Sequence, residues 1–306
     1  MMRLKPKKTL FIPFILLILI AITVITVLKF DSDSQEILHK EEPTNKEESI
    51  PTSKEEQEKK EKLAKLDNIN EKIDYFHEEY LDRYLAYLEK NPNLSKEDIV
   101  TRVNIGLDQE FYTNTKETPY LNQIYILSNK YLSMPKNYVP ENLETIDSKY
   151  TSGTRQLVKE AKEMFESLSQ AAKEDGYNIR AMSAYRSYQY QENLYNNYVK
   201  RDGKEEADTY SARPGFSEHQ TGLVVDVDNI KTVYTSFEKT EEFQWMQDHA
   251  HEYGFILRYP KGKENITGYT YESWHYRYVG KEIATYIHDH DITFDEYYVR
   301  FIENKK

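Results

Sequence analysis

Two short stretches of the chain decide its fold and its chemistry. Residues 217–226 read Ser-Glu-His-Gln-Thr-Gly-Leu-Val-Val-Asp, and residues 272–277 read Glu-Ser-Trp-His-Tyr-Arg. The first places an imidazole and a carboxylate on either side of a glycine, and its apolar end predicts a buried strand. The second places an acid three residues before another imidazole. Two histidines and one carboxylate suit a catalytic zinc ion, which keeps its fourth position for water.

The spacing of these residues leaves other assignments open. Asp226 ends an apolar run, and a carboxylate that enters a core must be paired with a cation or bound to a metal. An ion pair with an arginine is therefore an alternative, and Asp228, two residues farther along the same strand face, competes as a ligand. Glu272 and His275 can point the same way only if the chain bends or makes a helical turn between them, because a regular strand has a period of two.

Three motifs follow one another along the chain. They read Ser183-Ala184-Tyr185-Arg186-Ser187 with Gln191, then Ser217-x-His219-x-x-Gly222-x-x-x-Asp226 after Arg213-Pro214-Gly215-Phe216, then Glu272-x-Trp274-His275-Tyr276-Arg277-Tyr278-Val279-Gly280. Their order and spacing resemble the VanY-type D-alanyl-D-alanine carboxypeptidases, which share a fold with hedgehog signalling domains and zinc D,D-dipeptidases. The resemblance covers roughly residues 119–290.

The resemblance implies a role for each matching side chain. The ligands of one zinc ion per chain would be His219, Asp226 and His275. Glu272 would be the general base and Arg186 would stabilise the oxyanion, while the substrate would be oriented by Gln191, Ser217 and Gln220. Two positions depart from the family pattern, because Val224 stands where a small Ala is usual and Ser273 where Pro is frequent. We expect Val224 to crowd the floor of the pocket.

The activity that the resemblance implies is removal of the C-terminal D-alanine from peptidoglycan stem peptides. The alternatives are an L,D-carboxypeptidase, an endopeptidase that cuts cross-links, a zinc-binding wall module without turnover and a structural wall tether. Glu272 and Arg186 favour an enzyme, since a site without turnover has no need of them. Serine-type carboxypeptidase chemistry is excluded, because Ser217 lies in the metal loop and not ahead of a lysine on a helix.

The amino-terminal residues predict attachment to a membrane. Residues 1–8 carry four basic side chains, and residues 9–28 carry no charge over a length that can span a hydrocarbon core of about 30 Å as a helix. Bulky β-branched residues up to the end of this run predict an uncleaved anchor rather than a signal peptide. The basic flank predicts a cytoplasmic amino terminus and a catalytic domain on the cell-wall side of the membrane.

Composition divides the remaining chain into three parts. Residues 29–62, which are rich in Glu, Lys, Ser, Thr and Pro, predict a disordered stalk. Residues 63–118 predict a helical extension packed on the catalytic domain, and residues 119–306 predict the zinc carboxypeptidase domain itself. The absence of cysteine leaves no disulfide to stabilise it, and the net charge of −11 argues against a nucleic-acid partner.

Periodicity and capping residues predict the elements of these parts. The apolar stripe from Leu66 to Tyr87 predicts one helix that stops near Asn91, and Ser95 predicts the start of a second. Further predicted helices are 151–175, 188–200, 240–253, 281–288 and one capped by Thr293. Predicted strands are 123–127, 178–184, 223–226, 255–259 and one that leads into the second metal stretch. This order predicts an α+β fold whose small, mostly antiparallel sheet is flanked by helices.

Overall fold

The computed structural model describes residues 54–303, which form a mixed α+β fold. The helices, in chain order, are α1 (Lys54–Ala64), α2 (Leu81–Lys90), α3 (Lys96–Ile105), α4 (Lys159–Glu174), α5 (Tyr188–Asp202), α6 (Lys204–Tyr210), α7 (Glu241–His249), α8 (Glu264–Thr267), α9 (Lys281–His290) and α10 (Phe294–Phe301). The strands are β1 (Lys116–Glu117), β2 (Leu132–Ser133), β3 (Leu143–Thr145), β4 (Gln156–Val158), β5 (Arg180–Ser183), β6 (Val224–Asp228), β7 (Phe255–Leu257) and β8 (His275–Tyr278). The predicted basic tail, membrane span and most of the stalk lie outside the described residues. Within residues 54–303, no helix has both the length and the apolar character needed to cross a membrane.

The central sheet has four strands in the order β5-β6-β8-β7, and every neighbouring pair is antiparallel. Two smaller pairs, β1 with β2 and β3 with β4, lie outside it. Strand β6 reads Val-Val-Asp-Val-Asp, and its first four residues are buried because it is an inner strand. The predicted small, mostly antiparallel sheet is therefore confirmed.

Helix α4 covers one face of this sheet. Its buried residues recur every three or four positions, which draws a single apolar stripe along the helix: Ala161, Phe165, Leu168 and Ala172. The stripe joins a core that contains Val225, Val227 and Phe255 from the strands. The helix begins at Lys159 rather than near Thr151, since residues 156–158 pair with β3 instead.

The amino-terminal extension differs from its prediction. The single helix expected from Leu66 is wrong, because Asp67 and Asn68 adopt left-handed backbone angles (φ 54° and 50°) after α1, and two short 3₁₀ turns follow before α2. Helix α1 itself takes in residues 54–62, where the end of the stalk was predicted. The apolar stripe still forms one core, which includes Leu66, Tyr84, Ile99 and Val103.

This extension packs on the rest of the molecule through α3 and α10. The Arg300 guanidinium of α10 donates to the Thr101 hydroxyl of α3 at 3.2 Å, and it lies 3.8 Å from the Glu97 carboxylate and 3.9 Å from the Asp98 carboxylate of the same helix. A helical extension packed on the catalytic domain was the favoured prediction; these contacts agree with the packing, and the boundary between the two parts stays a prediction.

Local capping signals also agree with the structure. The Ser95 hydroxyl accepts from the Asp98 amide at the start of α3, and Thr293 forms a full capping box with Glu296 at the start of α10. The strand predicted at 123–127 is wrong, since the chain turns there. Helices α6 and α8 were not predicted.

Gly254 joins α7 to the sheet, and we expect Gly254→Ala to destabilise the fold strongly. Its φ is +82°, and an added Cβ would lie 2.7 Å from Tyr278 Cε2 and 3.0 Å from the backbone of Gly280. Gly176→Ala is the matched control, because its φ is +92° but a Cβ there meets no heavy atom within 4 Å in the described part of the chain. The control should lose about 1–2 kcal/mol from backbone strain, and Gly254→Ala about 1–3 kcal/mol more from overpacking. Urea unfolding measures both, and equal losses would contradict the packing argument.

Candidate metal centre and active-site cleft

The antiparallel pairing of β6 with β8 brings together two of the predicted ligands. Asp226 lies directly opposite His275 in the register of these strands, and Ser183 of β5 lies opposite Asp226 on the other side. Facing residues in an antiparallel pair have Cβ atoms about 4.5–5.5 Å apart. A carboxylate and an imidazole at such positions can therefore bind the same metal ion. Strand pairing thus joins motifs that are about fifty residues apart in sequence.

His219 reaches the same place from the 3₁₀ turn Glu218–Thr221, which ends at Gly222 with φ +69°. Its Nδ1 lies 2.7 Å from the carbonyl oxygen of Ala184. Because a carbonyl can only accept, Nδ1 carries the proton and Nε2 keeps its lone pair. That Nε2 atom lies 3.3 Å from Asp226 Oδ2. The turn therefore places an unprotonated nitrogen, whose lone pair can bind a metal ion, beside the Asp226 carboxylate.

Glu272 joins the cluster through a bend in the chain just before β8. The amide of His275 donates to the carbonyl of Glu272 at 3.3 Å, which makes one tight turn between them. As a result, Glu272 Oε2 lies 3.2 Å from His275 Nδ1. This is the bend that the sequence requires if the two side chains are to act together.

The donor set fits a metal ion. His219, Asp226 and His275 each offer a ligand atom, and these atoms all lie within 4.8 Å of one another in a buried site. Oδ1 of Asp226 has no hydrogen-bond partner among residues 54–303, which is costly for a buried carboxylate unless a cation completes it. Two nitrogens and one carboxylate oxygen are a donor set typical of catalytic zinc. Asp228, the competing ligand, instead accepts from the amide of Ile230.

Burial and neighbouring charges shift the pKa values of this cluster in different directions. Burial and then the Arg186 guanidinium lower the pKa of His219 to about 4, so this imidazole is neutral at pH 7. Burial alone would lower the pKa of His275, but the carboxylates around it, Asp226 first, outweigh burial and raise that pKa well above its usual range. Burial raises the pKa of Glu272. The carboxylates that converge on His275 thus favour positive charge at this point.

Arg186 follows β5 and reaches the cluster from the side opposite β8. Its Nη2 lies 2.5 Å from Asp226 Oδ2, and its Nε and Nη2 both donate to the hydroxyl of Ser183, at 3.0 and 2.8 Å. On the sequence alone, an ion pair with an arginine is the alternative to metal binding by Asp226. The structure shows that Asp226 has both an arginine partner and a place in the candidate metal site. Arg186 also lines the cleft that opens onto the cluster, so its charge is available to a bound molecule.

The cleft has a volume of about 490 Å³, which suits a small peptide or ligand. Gln191 and Ser217 line it, and Gln191 Oε1 has no hydrogen-bond partner in the described part of the chain. Gln220 does not line the cleft. Its amide instead donates to the carbonyls of Pro135 and Tyr138, both at 3.1 Å, behind the turn Glu218–Thr221 that carries His219. Val224 is fully buried and does not line the cleft either, so the expected crowding of the pocket floor is not observed.

Aromatic side chains form much of the remaining wall, and of these only Trp274 belongs to the sequence motifs. They are Tyr198, Tyr210, Tyr234, Tyr259, Tyr269 and Trp274. Tyr234 and Trp274 meet edge to face with their ring centroids 4.9 Å apart, and Tyr259 packs against the imidazole of His275 at 4.8 Å. The 27 tyrosines of the chain are the one signal in the sequence that points to such a wall, but they do not show which of them reach the cleft.

Comparisons of the sequence and of the structure with known proteins both give matches to carboxypeptidases. The family model described as VanY, D-alanyl-D-alanine carboxypeptidase, matches residues 154–281. The protein YodJ of Bacillus subtilis (strain 168) is 37% identical over 217 residues, which cover 67% of this chain and 80% of that protein.

Two solved structures extend the similarity to the fold. The structure of the LdcB LD-carboxypeptidase is 38% identical with a TM-score of 0.58, and the match covers 61% of this chain and 91% of LdcB. A mutant of the vancomycin resistance D,D-pentapeptidase VanY in complex with Zn(II) is 31% identical with a TM-score of 0.50, and the match covers 56% of this chain and 97% of that one. The motifs, the fold and the clustered side chains agree with these matches, and the chain belongs to the VanY family of D-alanyl-D-alanine carboxypeptidases.

Proposed function

We propose that this protein is a zinc-dependent D-alanyl-D-alanine carboxypeptidase, which removes the C-terminal D-alanine from peptidoglycan stem peptides. The observation that carries the proposal is the buried cluster of His219, Asp226 and His275, with the Glu272 carboxylate 3.2 Å from His275, at the base of a peptide-sized cleft. Membership of the VanY family and the relative bound to Zn(II) support both the metal and the reaction.

The three clustered side chains would hold the zinc. When bound, zinc would act as a Lewis acid, which lowers the pKa of water and polarises the scissile carbonyl. Glu272 takes a proton from the attacking water, and its raised pKa suits a general base. The same carboxyl group then returns the proton to the nitrogen of the departing D-alanine as the C–N bond breaks. Arg186 lies beside Asp226, where its guanidinium can stabilise negative charge on the carbonyl oxygen.

The neighbouring cleft residues bind and enclose the peptide. Gln191 and Ser217 both lie in the cleft wall and orient the substrate through polar groups, whereas Gln220 lies behind the turn and holds the turn itself. The aromatic wall excludes water and packs against the apolar parts of the stem. An L,D-carboxypeptidase acting on tetrapeptide stems is the second candidate, because the LdcB LD-carboxypeptidase has higher identity and TM-score than the VanY structure.

Metal removal should abolish activity, and β-lactams should have no effect. Full-length protein dialysed against a strong chelator is expected to release no D-alanine from a pentapeptide stem, and added zinc should restore release. Penicillin should leave the rate unchanged, since no serine nucleophile takes part. Mass spectrometry of tripeptide, tetrapeptide and pentapeptide stems measures release and separates the two candidates. Activity that survives exhaustive chelation would disprove the proposed mechanism.

We further propose that residues 9–28 anchor the chain in the cell membrane, with the catalytic domain on the cell-wall side and the charged residues after the span as a spacer. Full-length protein produced in bacterial cells should sediment with membranes, and protease added outside protoplasts should cleave its carboxyl-terminal domain. A chain without residues 9–28 should remain soluble inside the cell. Full-length protein that stays in the soluble fraction would contradict the anchor.

A further inference from the structure

Glu218 is a fully buried carboxylate beside the metal cluster that the mechanism above does not use. It precedes His219 on the turn Glu218–Thr221. One of its oxygens, Oε1, accepts from Arg258 Nε at 2.9 Å and from Arg277 Nη1 at 3.2 Å. Its other oxygen, Oε2, finds no hydrogen-bond partner in the part of the chain that the structure describes. Both arginines thus bind one oxygen and leave the other to a different group.

The group that faces this free oxygen is the imidazole of His275. Its Nδ1 points into the metal cluster, 3.4 Å from Asp226 Oδ1 and 3.2 Å from Glu272 Oε2. Its Nε2 points the other way and lies 3.8 Å from Glu218 Oε2. Nε2 is also buried without a hydrogen-bond partner among the described residues. Two complementary atoms, each otherwise unsatisfied, therefore face one another behind the cluster.

We infer that Glu218 is a positioning residue, which accepts a hydrogen bond from His275 Nε2 while Nδ1 binds the metal. The inference rests on the proposed zinc site. A neutral imidazole that binds a metal through Nδ1 must carry its proton on Nε2, and a buried N–H needs an acceptor. The 3.8 Å separation exceeds a normal N–H···O distance of about 2.7–3.2 Å, so a shift of about 0.6–1.1 Å closes the bond.

The surroundings hold Glu218 ionised and aimed at His275. Arg258 also donates to Asp295 of α10 at 2.6 Å, and the Asn129 amide donates to the other oxygen of Asp295 at 2.8 Å. Two guanidinium groups and two carboxylates balance in charge, and all four side chains are buried. This network ties the turn that carries Glu218 to the carboxyl-terminal helix. A carboxylate behind a ligating imidazole orients the ring and increases its basicity, which typically changes metal affinity 10–100-fold.

Glu218 is neither a ligand nor a base in this arrangement. The cluster whose ligand atoms lie within 4.8 Å of one another contains His219, Asp226 and His275 but not Glu218. The imidazole of His275 stands between Glu218 and the point where those atoms converge, since its two nitrogens face opposite ways. Glu218 therefore acts through His275.

The test compares Glu218→Gln with Asp108→Asn in the full-length chain. In Glu218→Gln the two arginines still donate to the side-chain oxygen, so the new NH₂ group faces His275 Nε2. Two N–H donors then face one another, and the hydrogen bond from His275 cannot form. Competition with a chromophoric chelator should give zinc binding that is about 10–100-fold weaker than in the wild type. Asp108→Asn makes the same chemical change at an arginine pair in the extension, with Arg83 at 2.7 Å. It should lower thermal stability but leave zinc affinity within about threefold.

A measurement on the unaltered chain avoids any folding defect in the variants. Nitrogen-15 NMR of zinc-loaded wild-type protein should show a proton on His275 Nε2 that exchanges slowly with solvent, and none on Nδ1. A proton on Nδ1, or zinc affinity in a folded Glu218→Gln protein equal to that of the wild type, would overturn the inference and leave the proposed function intact. A wild-type chain that binds no zinc would overturn the proposed function and the inference with it.

Discussion

Replacement of Glu272 by glutamine is expected to lower kcat by about 10²–10⁴-fold while zinc content stays near one ion per chain. The amide keeps the size and shape of the side chain but cannot take a proton from water or return it to the leaving amine. Zinc should remain, because the three residues with converging ligand atoms do not include Glu272. Elemental analysis of zinc beside steady-state kinetics on a pentapeptide stem measures both quantities on one preparation.

The matched control is Glu241→Gln, which makes the same change at an exposed position in the first turn of α7. It should leave both zinc content and kcat near wild type. If Glu272→Gln loses its zinc, Glu272 is a ligand and the assignment of roles is wrong. If it keeps near-normal turnover, the general base is another group.

Replacement of His275 by alanine should remove both the metal and the activity. It deletes one of three candidate ligands, and we expect zinc affinity to fall by more than about 100-fold, since residues behind metal ligands already contribute about 10–100-fold. Turnover should fall to background because neither the metal nor the partner of Glu272 remains in place. Zinc titration with a competing chelator, together with D-alanine release at saturating zinc, measures the two effects.

Folding must be checked in this variant, because the imidazole of His275 lies within 4 Å of three carboxylates. Loss of the positive charge from a buried cluster can cost about 3–5 kcal/mol, so circular dichroism and gel filtration should confirm that the measured fraction is folded. His249→Ala removes a histidine from the end of α7, outside the metal cluster, and is the control. Zinc bound as tightly by His275→Ala as by His249→Ala would show that His275 is not a ligand.

The two predictions separate chemistry from metal binding within one turn of chain. Glu272 and His275 are three residues apart, and their side chains lie 3.2 Å from each other. We nevertheless expect one substitution to leave a zinc-loaded, inactive protein and the other to leave a metal-free one. Because both variants alter the same bend before β8, a difference in zinc content cannot be attributed to local distortion alone.

The sequence by itself determined those features that depend on local signals. Ser95 and Thr293 cap helices where expected, because a capping hydroxyl and the amide it binds are only three residues apart. The apolar run before Asp226 predicted a buried strand, and the α+β order with a small antiparallel sheet followed from the alternation of such runs with helical stripes. The three motifs identified the family, since each functional residue keeps its distance from its neighbours in the motif.

Only the tertiary structure decided features that depend on contacts between distant residues. The amino-terminal stripe fits one long helix as well as two short ones folded around a core, and the left-handed turn at Asp67 and Asn68 decides between them. Asp226 and Asp228 share a strand face, so spacing could not choose between them. The strand register places Asp226 opposite His275, which makes Asp226 the candidate ligand of the two.

The position of each polar side chain around the metal cluster is the clearest case. Gln220 and Glu218 flank the same histidine in sequence, yet one holds carbonyl groups behind the turn and the other faces His275. Nothing in their spacing distinguishes these roles, because their partners Pro135 and Arg258 are 85 and 40 residues away. Local periodicity decides which residues are buried, but the partner of a buried polar group depends on which distant segment packs against it, and that is settled only when the chain has folded.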